Sequence, residues 1–140
     1  MNWFEAQTLM ETSRDKSKGK PIGNNTRLYF YDAGIGHESY YNIRLHGNQI
    51  MQIYRDRIVP MDGGWQSVTT KERLNRYIPR GFHVYQSNWQ WYISTPSSIQ
   101  YKFEDVYWIH NDGRVMLYST HPEYPDGVET LFPPYAEVKE

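Results

Sequence analysis

Val106-Tyr107-Trp108-Ile109-His110-Asn111-Asp112-Gly113-Arg114-Val115-Met116-Leu117-Tyr118 is the stretch that decides how this chain folds. Two runs of β-branched and aromatic residues flank an Asp-Gly step, and that dipeptide populates the left-handed conformations a tight turn needs. The pattern predicts an antiparallel hairpin, 106–110 against 114–118. Working back along the chain, the same two-residue period returns. Ile99, Tyr101 and Phe103 follow a Thr95-Pro96-Ser97-Ser98 loop, and a hairpin over 82–93 turns at Ser87-Asn88. Its alternation sends Trp89, Trp91 and Ile93 to the core and leaves Tyr85 and Tyr92 on the surface. Further upstream, Leu28 and Phe30 share one face of a strand, with Tyr29 and Tyr31 on the other. Strands over 39–45 and 50–54 follow, and Arg55-Asp56-Arg57 turns onto Ile58-Val59. Asp62-Gly63-Gly64 stops that run.

Two segments depart from this period. Trp3, Phe4, Ala6, Leu9 and Met10 recur at helical spacing, which predicts a helix over 2–13 capped by Asn2. Thr69-Thr70-Lys71-Glu72 fits a capping box, so a short helix is expected from Thr69, with Leu74, Tyr77 and Ile78 inward, Arg73 and Arg76 on its polar side, and Pro79 ending it. The stretch 13–21, without an apolar residue before its Gly and Pro, reads as an exposed basic loop. The sum is an α+β fold: one domain over 1–120, mainly antiparallel β-sheet with an N-terminal helix and a second short helix. An acidic, Pro-containing extended C-terminal tail over 121–140 completes it.

Composition supports a self-sufficient domain. At 140 residues and 39% hydrophobic, the chain is long enough to bury a core without staples, and it has no cysteine for disulfides, thiolate chemistry or Cys-based metal sites. No apolar run reaches the length of a membrane helix, and Met1-Asn2-Trp3-Phe4-Glu5 lacks the basic and apolar regions of a signal peptide, so no membrane partner is expected. Aromatic residues make up 16% of the chain, and 13 of them are Tyr, a residue suited to half-buried faces and binding surfaces. The net charge of −1 hides a split: 14–80 holds 12 Lys and Arg against 6 acids, whereas 81–140 holds 3 against 8. A basic middle of this kind marks either an anion-binding face or two halves that attract each other.

Candidate chemistry gathers in the middle. The Gly63-Gly64 bend leads through Trp65 into a helix beginning near Thr69, Thr70 and Lys71, with Arg73 close behind. Free amides, hydroxyls and cations at a helix start are what a phosphate or carboxylate needs, although an ordinary helix cap explains the same residues. No Lys stands at P-loop spacing, so Walker-type hydrolysis is excluded. Asn24 and Asn25 could read a base or ribose edge, or simply make a turn. Arg44 and His46, two apart on a strand, would project together and could hold a phosphate. The five His show no paired metal-ligand spacing and there is no nucleophile elbow, so neither a metal nor a cofactor is expected and no catalytic set is assembled.

Three blocks resemble a known family: 19–28 (Gly19-Lys20-Pro21 to Asn24-Asn25-Thr26-Arg27-Leu28), 43–50 (Arg44-Leu45-His46-Gly47) and 63–79 (Gly63-Gly64-Trp65 to Asn75-Arg76-Tyr77-Ile78-Pro79). They are similar to successive blocks in small phage and prophage proteins, with a last block at Val84-Tyr85-Gln86 and Trp91-Tyr92-Ile93. The resemblance covers 2–93 and implies a viral source and a stand-alone domain, not a reaction.

Together these readings predict a non-enzymatic phage binder in the host cytoplasm. It would block a host anti-phage defence by gripping a host protein or sequestering a nucleotide signal. Direct nucleic-acid binding is the alternative, served by the basic middle and exposed Tyr. A metal-free ribonuclease using His46 or His83 with Arg44 and a Tyr is the third. Strand edges and abundant Tyr favour a homo-oligomer.

Overall fold

A computed structural model of the protein describes residues 1–13, 16–118 and 129–132. Helix α1, Trp3–Glu11, starts at a full capping box: the Asn2 side chain accepts from the Glu5 amide at 2.9 Å, and Glu5 Oε1 accepts from the Asn2 amide at 2.9 Å. Strands β1 (Lys20–Gly23), β2 (Thr26–Tyr31), β3 (Tyr40–Leu45), β4 (Asn48–Ile53) and β5 (Arg57–Pro60) follow. Then come helix α2 (Val68–Tyr77), a small sheet of β6 (His83–Ser87), β7 (Gln90–Ser94) and β8 (Gln100–Lys102), and finally β9 (Val106–His110), β10 (Val115–Tyr118) and β11 (Glu129–Phe132).

Every described strand pairing is antiparallel. The large sheet runs β1-β2-β3-β4-β5-β9-β10-β11, and the small one β6-β7-β8. After β5 the chain leaves the large sheet, builds α2 and the small sheet, and returns as β9, pairing Ile58 with Ile109. Two-residue turns with both residues at positive φ close β3–β4 at His46-Gly47 (51° and 82°) and β6–β7 at Asn88-Trp89 (49° and 67°). Their handedness matches the twist of the strands they join.

The core lies between one face of the large sheet, the two helices and the inner face of the small sheet. Leu28, Ile43, Met51, Ile53, Ile58 and Ile109 are buried on the large sheet; α1 adds Trp3, Ala6 and Met10, α2 adds Leu74 and Tyr77, and the small sheet adds Val84, Trp91 and Ile93. Each fully buried large side chain here contributes roughly 1.5–3 kcal/mol. Trp3 meets Tyr41 edge-on, with ring centroids 4.7 Å apart.

The α+β architecture with its two helices is as the sequence predicts, but several local expectations are corrected. Helix α2 is capped by Ser67, whose side chain accepts from the Thr70 amide at 3.1 Å, not by Thr69. Glu72 does not reach back to a cap; it pairs with Arg73 and Arg76. Arg73 is buried rather than on the polar side. The β6–β7 turn lies one residue later than Ser87-Asn88, which takes Trp89 out of the core and leaves it 92% exposed, while Trp91 stays buried. The basic loop contains a short 3₁₀ turn, Lys16–Lys18, and strand β1. Glu129–Phe132 pairs with β10 as β11; the rest of 121–140, and with it the expectation of an extended acidic tail, lies outside the described residues.

Candidate functional site

Two adjoining hollows open where the β3–β4 turn faces the entrance to α2. The first, of about 390 Å³, is lined by His46, Asn48, Ile50, Asp62, Gly63, Trp65, Ser67, Thr69 and Thr70. The second shares Asn48, Asp62 and Gly63 with it and adds Arg44, Gly47, Gln49 and Gly64. A volume of this order suits a drug-sized or nucleoside-sized ligand.

The wall between the hollows is built by the Asp62-Gly63-Gly64-Trp65 bend. Asp62 Oδ1 accepts from the Gly64 amide at 2.7 Å, its carbonyl accepts from the Trp65 amide at 3.1 Å, and its Oδ2 accepts from Gln66 Nε2 at 3.3 Å. These bonds fix the bend and leave carboxylate lone pairs available. Gly63, at φ +68°, lies so close to β4 that a Cβ there would stand 3.2 Å from Asn48 Cβ and 3.3 Å from the Gln49 carbonyl. Its missing side chain is what lets the bend approach the strand. Trp65 projects from the bend with 72% of its surface exposed.

The helix entrance is partly closed by its own side chains. Ser67 and Thr70 hydroxyls lie 2.9 Å apart, and Thr70 Oγ1 donates to the Trp65 carbonyl at 3.0 Å. Thr70 therefore serves the bend, while Thr69 lines the first hollow.

The cations expected around this helix start do not converge on it. Lys71 Nζ turns to the small sheet, 3.4 Å from Gln86 Oε1 and 5.9 Å over the Trp91 ring. Arg73 reaches the β1–β2 turn, donating to Thr26 Oγ1 at 2.9 Å and to the Asn24 carbonyl at 3.1 Å, and pairs with Glu72 at 2.7 Å. Asn24 and Asn25 form that two-residue turn, Asn25 at φ +51°. Arg44 is held over the Tyr29 ring at 4.7 Å, with Nε donating to Asn42 Oδ1 at 2.9 Å, and it borders the second hollow. His46 is not on Arg44's strand face as expected: it belongs to the turn after β3, so the two residues border different hollows.

Of the residues predicted from sequence, Gly63, Gly64, Trp65, Thr69, Thr70, Arg44 and His46 thus meet around the paired hollows, whereas Lys71, Arg73, Asn24 and Asn25 serve contacts elsewhere. Asp62, Asn48 and Ser67 were missed as site residues. Asp62 before two glycines carried a signal in the side-chain-to-amide turn that Asp makes two residues on. His83, the other histidine considered for acid–base chemistry, lies on β6, where it stacks against Tyr85. Among the described residues no group of three or more metal-ligating side chains comes together, and no helix is long and apolar enough to cross a membrane.

The family described as Kyanoviridae Gp96 protein matches residues 3–113, from the first residue of α1 to the β9–β10 turn. The chain belongs to this family of phage proteins. The match extends past the blocks that first suggested a phage family and takes in both hollows and the whole small sheet. No curated protein and no solved structure matches the chain.

Proposed function

We propose that this phage protein is a non-catalytic binder that holds a nucleotide-type small ligand across the paired hollows, acting in the host cytoplasm to withdraw that ligand from a host anti-phage defence. The observation that carries this reading is the convergence of Trp65, His46, Asp62 and Arg44, brought from two sequence segments, 44–46 and 62–65, to two adjoining hollows. A ring can lie against the exposed Trp65 indole, where base–aromatic stacking contributes about 1–3 kcal/mol. The Asp62 carboxylate suits ribose hydroxyls, as acidic side chains do in dinucleotide sites. The Arg44 guanidinium, one hollow away, suits a phosphate.

Binding rather than turnover is supported by the surroundings of these groups. Asp62 is tied to the amides of its bend and Arg44 to Asn42 and the Tyr29 ring, and Arg44 and His46 border different hollows, so the cation that would stabilise a developing charge does not share a hollow with the His46 imidazole.

Calorimetric titration with mono-, cyclic and dinucleotides tests the reading. At least one ligand is expected to bind with unchanged composition after incubation, and Trp65→Ala and Arg44→Ala should each weaken it ten-fold or more. Absence of heat for the whole panel, together with stoichiometric capture of a host protein lost on Trp65→Ala, would replace the small ligand by a protein grip.

A further inference from the structure

We propose that the outer face of the small sheet is a second binding site, one that takes single-stranded nucleic acid by stacking its bases on aromatic rings. On this face His83 and Tyr85 lie parallel within 8°, centroids 6.2 Å apart, and Tyr85 and Tyr92 lie within 22° at 5.5 Å. Tyr85 and Tyr92 are register partners, and Lys102 stands opposite Tyr92 on β8. The rings thus form one layer with a cation at its edge. The Tyr85 hydroxyl is tied to Gln100, which fixes the middle ring of the layer.

Charge favours a polyanion. None of the residues in register on this face of β6, β7 and β8 is acidic, and Lys102 supplies a cation beside Tyr92. Antiparallel sheets that present stacked aromatics beside basic side chains suit unpaired bases, whose faces are free, and not duplexes, whose faces are covered.

The hairpin tip supplies the independent observation. Trp89 is 92% exposed and sits at φ +67°, a conformation in which a bulky residue costs stability and Gly would not. A large ring kept in a strained, solvated position does nothing for the fold, and strain of this sort collects where function requires it. Trp89 stands at the tip of the same hairpin, in the turn between β6 and β7.

The test is fluorescence anisotropy of end-labelled 12-nucleotide single strands, as DNA and as RNA, and of a 12-base-pair duplex, with the full-length protein. Both single strands are expected to bind better than the duplex. Trp89→Gly, which should fold at least as well as the parent, and Tyr92→Ala should each weaken binding about ten-fold, and Lys102→Gln should reduce the dependence on salt by about 0.7 in log–log slope. Trp65→Ala should leave it unchanged, which separates this face from the paired hollows. Equal affinity for duplex and single strand, no binding at 50 mM salt, or full binding by the Trp89→Gly protein would overturn the proposal.

Discussion

Arg73 Nε lies 2.9 Å from Thr26 Oγ1, a side-chain bond between α2 and the start of β2 that spans 47 residues of sequence. The same guanidinium donates to the Asn24 carbonyl and pairs with Glu72, so one buried cation ties the helix to the first hairpin. Arg73→Met removes donors that buried acceptors rely on. It should cost about 2–3 kcal/mol in urea unfolding. Arg76→Ala, which breaks only an exposed i,i+4 pair with the same Glu72, should stay within about 0.5 kcal/mol.

The Asn88-Trp89 turn predicts the opposite sign. Replacing Trp89 with Gly relieves a left-handed conformation and exposes no core, since the indole is outside it. The variant should be more stable by about 1 kcal/mol, seen as a higher denaturation midpoint with unchanged slope. A loss of stability would mean that the indole packs on the protein in solution.

Glycines at positive φ should separate by what surrounds them. Gly36→Ala, at φ +82° with open space where a Cβ would go, should cost about 1 kcal/mol from backbone strain alone. Gly19→Ala, at φ +73°, adds a Cβ 2.7 Å from Tyr29 Cε2, and that ring is held beneath the Arg44 guanidinium at 4.7 Å. It should cost about 2–4 kcal/mol, and it should also weaken ligand binding by displacing Arg44.

His110 should make stability fall on acidification. Burial, followed by the charge of Arg114, holds its pKa below the ordinary value, and its Nε2 accepts from Trp108 Nε1 at 2.9 Å. The folded state therefore binds fewer protons than the unfolded one between the two pKa values. The contribution is fully present above about pH 6.5 and is lost as pH falls toward the native pKa. The drop in unfolding midpoint between pH 7.5 and 5.5 should be smaller in His110→Gln than in the parent.

Local chemistry made much of the fold legible. The Asp112-Gly113 step, the alternation in 26–31 and the spacing of Trp3, Ala6 and Met10 each carry their own structural consequence within a few residues. What escaped was decided by neighbours far along the chain. Arg73 is buried because Asn24 and Thr26 supply acceptors, a fact no helical pattern contains. The pairing of Ile58 with Ile109 joins β5 to β9 across 50 intervening residues, a contact that periodicity does not see. Ser67 beat Thr69 as the cap because the Ser67 and Thr70 hydroxyls and the Trp65 carbonyl form one bonded set. The site was half legible for the same reason: the Gly-Gly-Trp bend announced itself, but only the approach of the His46-Gly47 turn made it a hollow, and only the fold sent Lys71 and Arg73 elsewhere.

The most direct test of the central claim is mass spectrometry of small molecules released on denaturing protein purified from host cells. The account predicts a nucleotide-type compound at close to one equivalent from the parent protein and its loss from Trp65→Ala protein of unchanged stability. Equal recovery of that compound from both proteins, or none from the parent alongside calorimetric silence toward every nucleotide tried, would contradict it.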